Sequence, residues 1–92
     1  MYTYFGESCI ELNITRKDAE SMSHKGDCEQ DVRALLPKYR NQLRKKSLND
    51  LRDGIIECGI ESERVKEMDE EEVFIYVLWI ASGDIVEEIY AR

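Results

Sequence analysis

Long hydrophobic runs, paired cysteines and an excess of positive charge are all missing from this sequence. The longest uninterrupted apolar run, 73–81, has nine residues. A membrane-spanning helix needs about 20, so no membrane partner is expected. Cysteine occurs three times, at Cys9, Cys28 and Cys58. An odd, widely spaced set fits a reducing compartment better than a disulfide framework. The first residues lack the basic segment and apolar core of a secretory signal, so a cytoplasmic protein is expected. One proline and five glycines leave no linker or low-complexity tract. Lys and Arg number 13 against 20 Asp and Glu, a net charge of -7. Direct nucleic-acid binding through the phosphate backbone needs a basic footprint and is not expected.

What is present is the composition of a soluble globule: 42% hydrophobic and 36% charged residues in 92. That length holds one small domain with one core, taken as 1–92. Residues 1–14 read as a β arm or hairpin and 15–92 as helical. Residues 2–5 and 9–14 are the candidate strands. In the second, Ile10, Leu12 and Ile14 alternate with polar neighbours at a period of two, and 6–8 carry turn chemistry.

Thr15 is a helix cap, and Asp18 three residues on predicts a capping box over a first helix from Arg16 to about His24. Gly26 ends it. Asp27 caps a second helix, whose apolar face is Val32, Leu35 and Leu36 and which Pro37 stops. Tyr39 and Leu43 share a face of a short helix within 38–46. Ser47 caps the next, with Leu48, Leu51, Ile55 and Cys58 on one face and Gly59 closing it. Residues 62–68 form one more turn with Val65 inward. Asp69 caps the last helix, and Glu70, Glu71 and Glu72 complement the dipole of its first turn.

That last helix carries two apolar stripes. One is Phe74, Val77, Leu78, Ala81, Ile85 and Ile89. The other is Ile75, Trp79, Val86 and Tyr90. A helix apolar over most of its circumference is buried on several sides, so the second stripe is a candidate homodimer interface. Asp84 interrupts the apolar run and needs a partner if buried. A structural polar lock with His24 and Arg33 is the expectation.

Charge is unevenly spread. Residues 1–31 balance at -4, 32–52 at +6 and 53–92 at -9. Such blocks either form solvated helix faces, neutralise one another in the fold, or mark a binding polarity. Lys38, Arg40, Arg44, Lys45 and Lys46 beside Tyr39 read as an exposed basic helix rather than a phosphate site. His24-x-x-x-Cys28, even with Cys9, is too few ligands for zinc. A nucleophilic set of Cys28, His24 and Asp31 has no partner groups for an oxyanion. No enzyme activity, metal or cofactor is expected.

The run from His24 through Gly26, Cys28, Asp31 and Val32, then Gln42-Leu43, Gly59 and Trp79-Ile80-Ala81-Ser82-Gly83-Asp84-Ile85-Val86-Glu87-Glu88, resembles a family of small uncharacterised phage and prophage proteins. The shared pattern is His-x-Gly-x-Cys-x-x-Asp-Val followed by Trp-Ile-Ala-x-x-Asp-Ile-x-Glu-Glu. This chain departs from it at Cys58-Gly59-Ile60-Glu61, where the family has Tyr-Gly-Ala-Trp. The resemblance covers roughly residues 12–88. It implies a mobile-element origin and no particular activity.

The expected fold is mainly α: a compact helical bundle of four to five short helices around a long C-terminal helix, with a short N-terminal strand or β-hairpin. The expected function is that of a small acidic phage-encoded binding protein. It would inhibit host nucleic-acid or defence machinery, in the anti-restriction or anti-CRISPR manner, by presenting carboxylates to a basic surface built for phosphates. Its partner is then a host protein or protein complex. The candidate contact residues are Glu61, Glu63, Glu67, Asp69, Glu70, Glu71, Glu72, Glu87 and Glu88. The alternative is a small oligomeric accessory protein whose carboxylates keep it soluble. A metal- or thiol-dependent enzyme is the minor alternative.

Overall fold

The apolar run near the C-terminus lies within the longest helix, and the rest of the chain is arranged to cover it. The computed structural model describes residues 2–5, 11–23 and 29–91, with the side chains of 2–5 outside that description. The elements in chain order are β1 (Tyr2–Phe5), β2 (Glu11–Ile14), α1 (Arg16–Met22), α2 (Glu29–Leu43), α3 (Leu48–Glu57), α4 (Ser62–Lys66) and α5 (Glu70–Tyr90). The fold is mainly α, with one long C-terminal helix packed against the others. α1, α2, α3 and β1 all contact α5.

β1 and β2 pair antiparallel, with Tyr2 opposite Ile14 and Phe5 opposite Glu11. The alternation expected in β2 holds: Leu12 and Ile14 are fully buried, while Glu11 is exposed. Residues 9 and 10 of the expected strand, and the 6–8 turn, lie outside the described residues. The outer edge of β2 is closed by a side chain. The Gln42 carboxamide of α2 accepts from the Asn13 N–H (2.7 Å) and donates to the Asn13 carbonyl (3.1 Å).

Three helix starts follow their caps. The Thr15 hydroxyl accepts from the Asp18 N–H, Ser47 from Asp50, and the Asp69 carboxylate from Glu72. Each satisfies a backbone donor that the first turn leaves open. α3 ends at Cys58, and Gly59 follows with φ +102°, a backbone conformation that side chains with a Cβ rarely adopt. Cys58 is exposed and does not extend the inward face of α3. Val65 of α4 is fully buried, as expected.

One expected boundary is overturned. Pro37 does not stop the second helix; α2 continues through it to Leu43 and absorbs the short helix expected within 38–46. Proline removes the N–H that would bond the Arg33 carbonyl, a real local cost. Burial outweighs it. Val32, Leu36, Tyr39 and Leu43 recur at helical spacing on both sides of Pro37, and all four are essentially buried. Pro37 itself points to solvent, so its ring crowds only its own helix.

The cost of that proline is measurable. Pro37→Ala restores the missing donor without touching the core and should stabilise the protein by about 1–3 kcal/mol. The check is a urea titration in which the midpoint rises with no change in slope. A lower midpoint would mean that the ring is needed where it is.

Candidate functional site

The expected acidic contact residues fall into two separate groups. Glu61, Glu63, Glu67, Asp69, Glu70, Glu71 and Glu72 lie within α4, its flanks and the first turn of α5, and all are exposed. Glu87 and Glu88 stand near the far end of α5, about 24 Å along the helix from Glu71 at 1.5 Å per residue. The structure therefore makes one acidic end and leaves those two outside it.

The basic middle of the chain is folded onto that acidic end. Arg33 Nη1 lies 3.2 Å from Glu71 while its Nη2 holds Glu29 at 3.0 Å, and Arg44 Nη2 lies 3.5 Å from Glu70. Arg52 donates to the Met68 carbonyl at 2.7 Å. These ion pairs are half exposed and add little stability, but they neutralise charge. Asp69 is occupied as a helix cap. Glu61, Glu63, Glu67 and Glu72 remain exposed, with no ion pair or side-chain hydrogen bond among the described residues.

A second surface runs along the outside of α5. Trp79 and Tyr90 are the exposed large hydrophobic residues, at 45% and 67% exposure. Tyr76 stands one turn before Trp79, with ring centroids 5.9 Å apart in an edge-to-face arrangement. The Arg64 guanidinium donates to the Tyr76 hydroxyl at 2.8 Å and lies 5.8 Å from its ring centroid. Val86 is half-buried on the same face. Ile75 departs from the expected interface: it is 7% exposed and belongs to the core, so the outward face consists of Tyr76, Trp79, Val86 and Tyr90.

Of the expected buried lock, Asp84 lies at the surface instead of in the core. Arg33 is turned to Glu29 and Glu71. His24, Lys25 and Cys28 lie outside the described residues. Val77, two turns before Asp84 on the same side of α5, is buried. That side is thus covered in its first half and open in its second, which local hydropathy around Asp84 does not reveal.

A different polar lock is present. Asp18 Oδ2 accepts from the Tyr39 hydroxyl at 2.5 Å and from Lys38 Nζ at 2.6 Å, and the Tyr39 oxygen accepts from the Thr15 N–H at 3.4 Å. The Asp18 carboxylate therefore does not close a capping box. It reaches across to α2, and Tyr39 meets the Thr15 donor instead. Asp18 is 8% exposed and Tyr39 is buried. Burial pushes the Asp18 carboxyl up, but hydrogen bonds from Lys38, Tyr39 and Thr15 and the Lys38 charge outweigh it and leave it below the ordinary value. Burial, then the Asp18 carboxylate, raises the Tyr39 phenol. The hydrogen bond to Asp18 raises Lys38.

Lys38 and Arg44 are thus committed to Asp18 and Glu70. Lys45 and Lys46, with Glu11, Asn13 and Gln42, line a shallow depression of about 210 Å³. Among the described residues no group of three His, Cys, Asp or Glu side chains is placed to hold a metal ion. No described helix is long and apolar enough to cross a membrane. The chain matches no protein family, no curated protein and no solved structure.

The Asp18 lock makes stability depend on pH with a defined sign. A carboxyl whose folded pKa is lowered stabilises above its unfolded value and loses that contribution as pH falls through the folded one. Asp18→Asn should cost about 1–3 kcal/mol near neutrality. The gap from wild type should stay constant down to about pH 5 and narrow below about pH 4. The raised Tyr39 and Lys38 contribute below their ordinary values, and that contribution is lost as pH rises through the raised ones. Thermal melts of both proteins across pH measure this. A gap that persists at low pH would assign the cost to packing instead of charge.

Proposed function

We propose that this protein is a non-catalytic binding protein that presents a rigid acidic surface to a basic site on a macromolecular partner. The observation that carries this reading is the set of exposed carboxylates without an ion pair among the described residues, Glu61, Glu63, Glu67 and Glu72, held with the cations Arg64 and Lys66 on and beside two helices at one end of the molecule. Two features support it. α4 and the start of α5 are anchored by buried Val65, Met68 and Val73, so the carboxylates sit on ordered backbone. Arg33 and Arg44 neutralise part of the Glu70–Glu72 block and so concentrate the remaining charge on the α4 side. Carboxylates fixed on ordered backbone attract a basic surface built to receive phosphates and exclude nucleic acid from it.

The resemblance to phage and prophage proteins adds a setting: a mobile-element protein, acting in the host cytoplasm, that occupies host nucleic-acid or defence machinery of the restriction or CRISPR kind. Glu70 and Glu71 are second-rank contacts in this reading because each already has an arginine. Glu87 and Glu88 belong to another part of the surface.

The experiment is capture from host lysate on immobilised protein, followed by competition. A captured protein should be released by duplex DNA, and its affinity should fall at least about tenfold as salt is raised through the physiological range. Changing Glu61, Glu63, Glu67 and Glu72 together to Gln should abolish capture while leaving the thermal melt nearly unchanged, since all four are exposed. Capture that ignores salt, DNA and the fourfold variant would overturn the reading.

A further inference from the structure

We propose that the outward face of α5 is an interface with a second copy of this chain, in which two α5 helices pack antiparallel across a two-fold axis at Gly83. This inference is independent of the acidic end and stands if that reading fails. It rests on the order of residues along one stripe. Tyr76, Trp79, Gly83, Val86 and Tyr90 fall at offsets of −7, −4, 0, +3 and +7 from Gly83, and all lie on one side of a helix with 3.6 residues per turn. The stripe is nearly palindromic in both position and character. Reversing it onto itself, as a two-fold axis does, sets Tyr76 against Tyr90 of the second copy and Ile80 against its Val86. Trp79 then lies over Val86 and Glu87 of the second copy.

The centre of the stripe is open. A Cβ built on Gly83 meets nothing within 4 Å, so the fold of one chain gives no packing reason for the missing side chain. A close helix crossing does: the bare backbone lets two helices approach at the axis, with the large rings displaced to either side.

Area agrees with a second copy as the occupant. Trp79 and Tyr90 together expose roughly 250 Å² per chain. With the half-buried Tyr76, Ile80, Val86 and Ile89, pairing removes about 1,000 Å² in all, the lower bound for a specific interface.

Sedimentation equilibrium on wild type, Trp79→Glu and Gly83→Leu tests this. Wild type should associate to a dimer, and each variant should weaken it at least about tenfold. Gly83→Leu should keep or raise the melting temperature of the monomer, because the position is open and leucine is the better helix former, which separates loss of association from loss of fold. Gly83→Cys should form a disulfide between the two copies under mild oxidation, identified as 83 to 83 by peptide mass mapping. A wild type that is monomeric at high micromolar concentration would overturn the proposal, and so would a dimer that both variants leave intact.

Discussion

The apolar circumference of α5 is the constraint on which the rest of the molecule depends. A helix with hydrophobic residues on most of its sides cannot be covered by one neighbour. Here α1, α2, α3 and the hairpin strand β1 all lie against it. Leu78 and Ala81 are fully buried, and Val77 and Ile85 nearly so, so the cover is complete over the inward sector. The chain has too few elements to finish it. The sector through Trp79 and Tyr90 stays open, and with it the Asp84 side of the second half.

Features decided within a few residues were readable in advance. The caps at Thr15, Ser47 and Asp69 need only a short polar side chain and the N–H three residues on. The left-handed Gly59 needs only the lack of a Cβ. Features decided at long range were not. Pro37 obeys a local rule that the burial of Tyr39 and Leu43 overrides. Asp18 reads as a capping-box residue from its spacing, yet its partners lie 20 and 21 residues away on α2. Ile75 and Trp79 are one turn apart in one apolar stripe, but only the placement of the other helices makes the first core and the second surface. The acidic site was legible as a list of carboxylates. Its division into two groups, and the arginines that neutralise part of it, were not.

The charge blocks along the chain turn out to serve two ends at once. Part of the basic middle neutralises part of the acidic end through Arg33 and Arg44, which draws α2 and the start of α5 together. Lys38 is spent on Asp18, which draws α2 to α1. Arg33, Lys38 and Arg44 are thereby paired at the surface of the fold, and the α4 end keeps four exposed carboxylates beside the exposed Arg64 and Lys66. Net charge of -7 is therefore a property of the surface and not only of the composition.

The Gln42 amide on the edge of β2 has a consequence for how the hairpin is read by the chain itself. A primary amide offers one acceptor and two donors, enough to imitate the backbone of a neighbouring strand at a single residue. Because it meets both the N–H and the carbonyl of Asn13, it acts as a gauge of alignment. Sliding β2 by one residue would present Leu12 or Ile14 to the amide and turn the other set of side chains toward solvent. The same contact denies an incoming strand the backbone groups it would need on that side. One glutamine on a helix therefore sets the phase of the strand beside it and terminates the sheet.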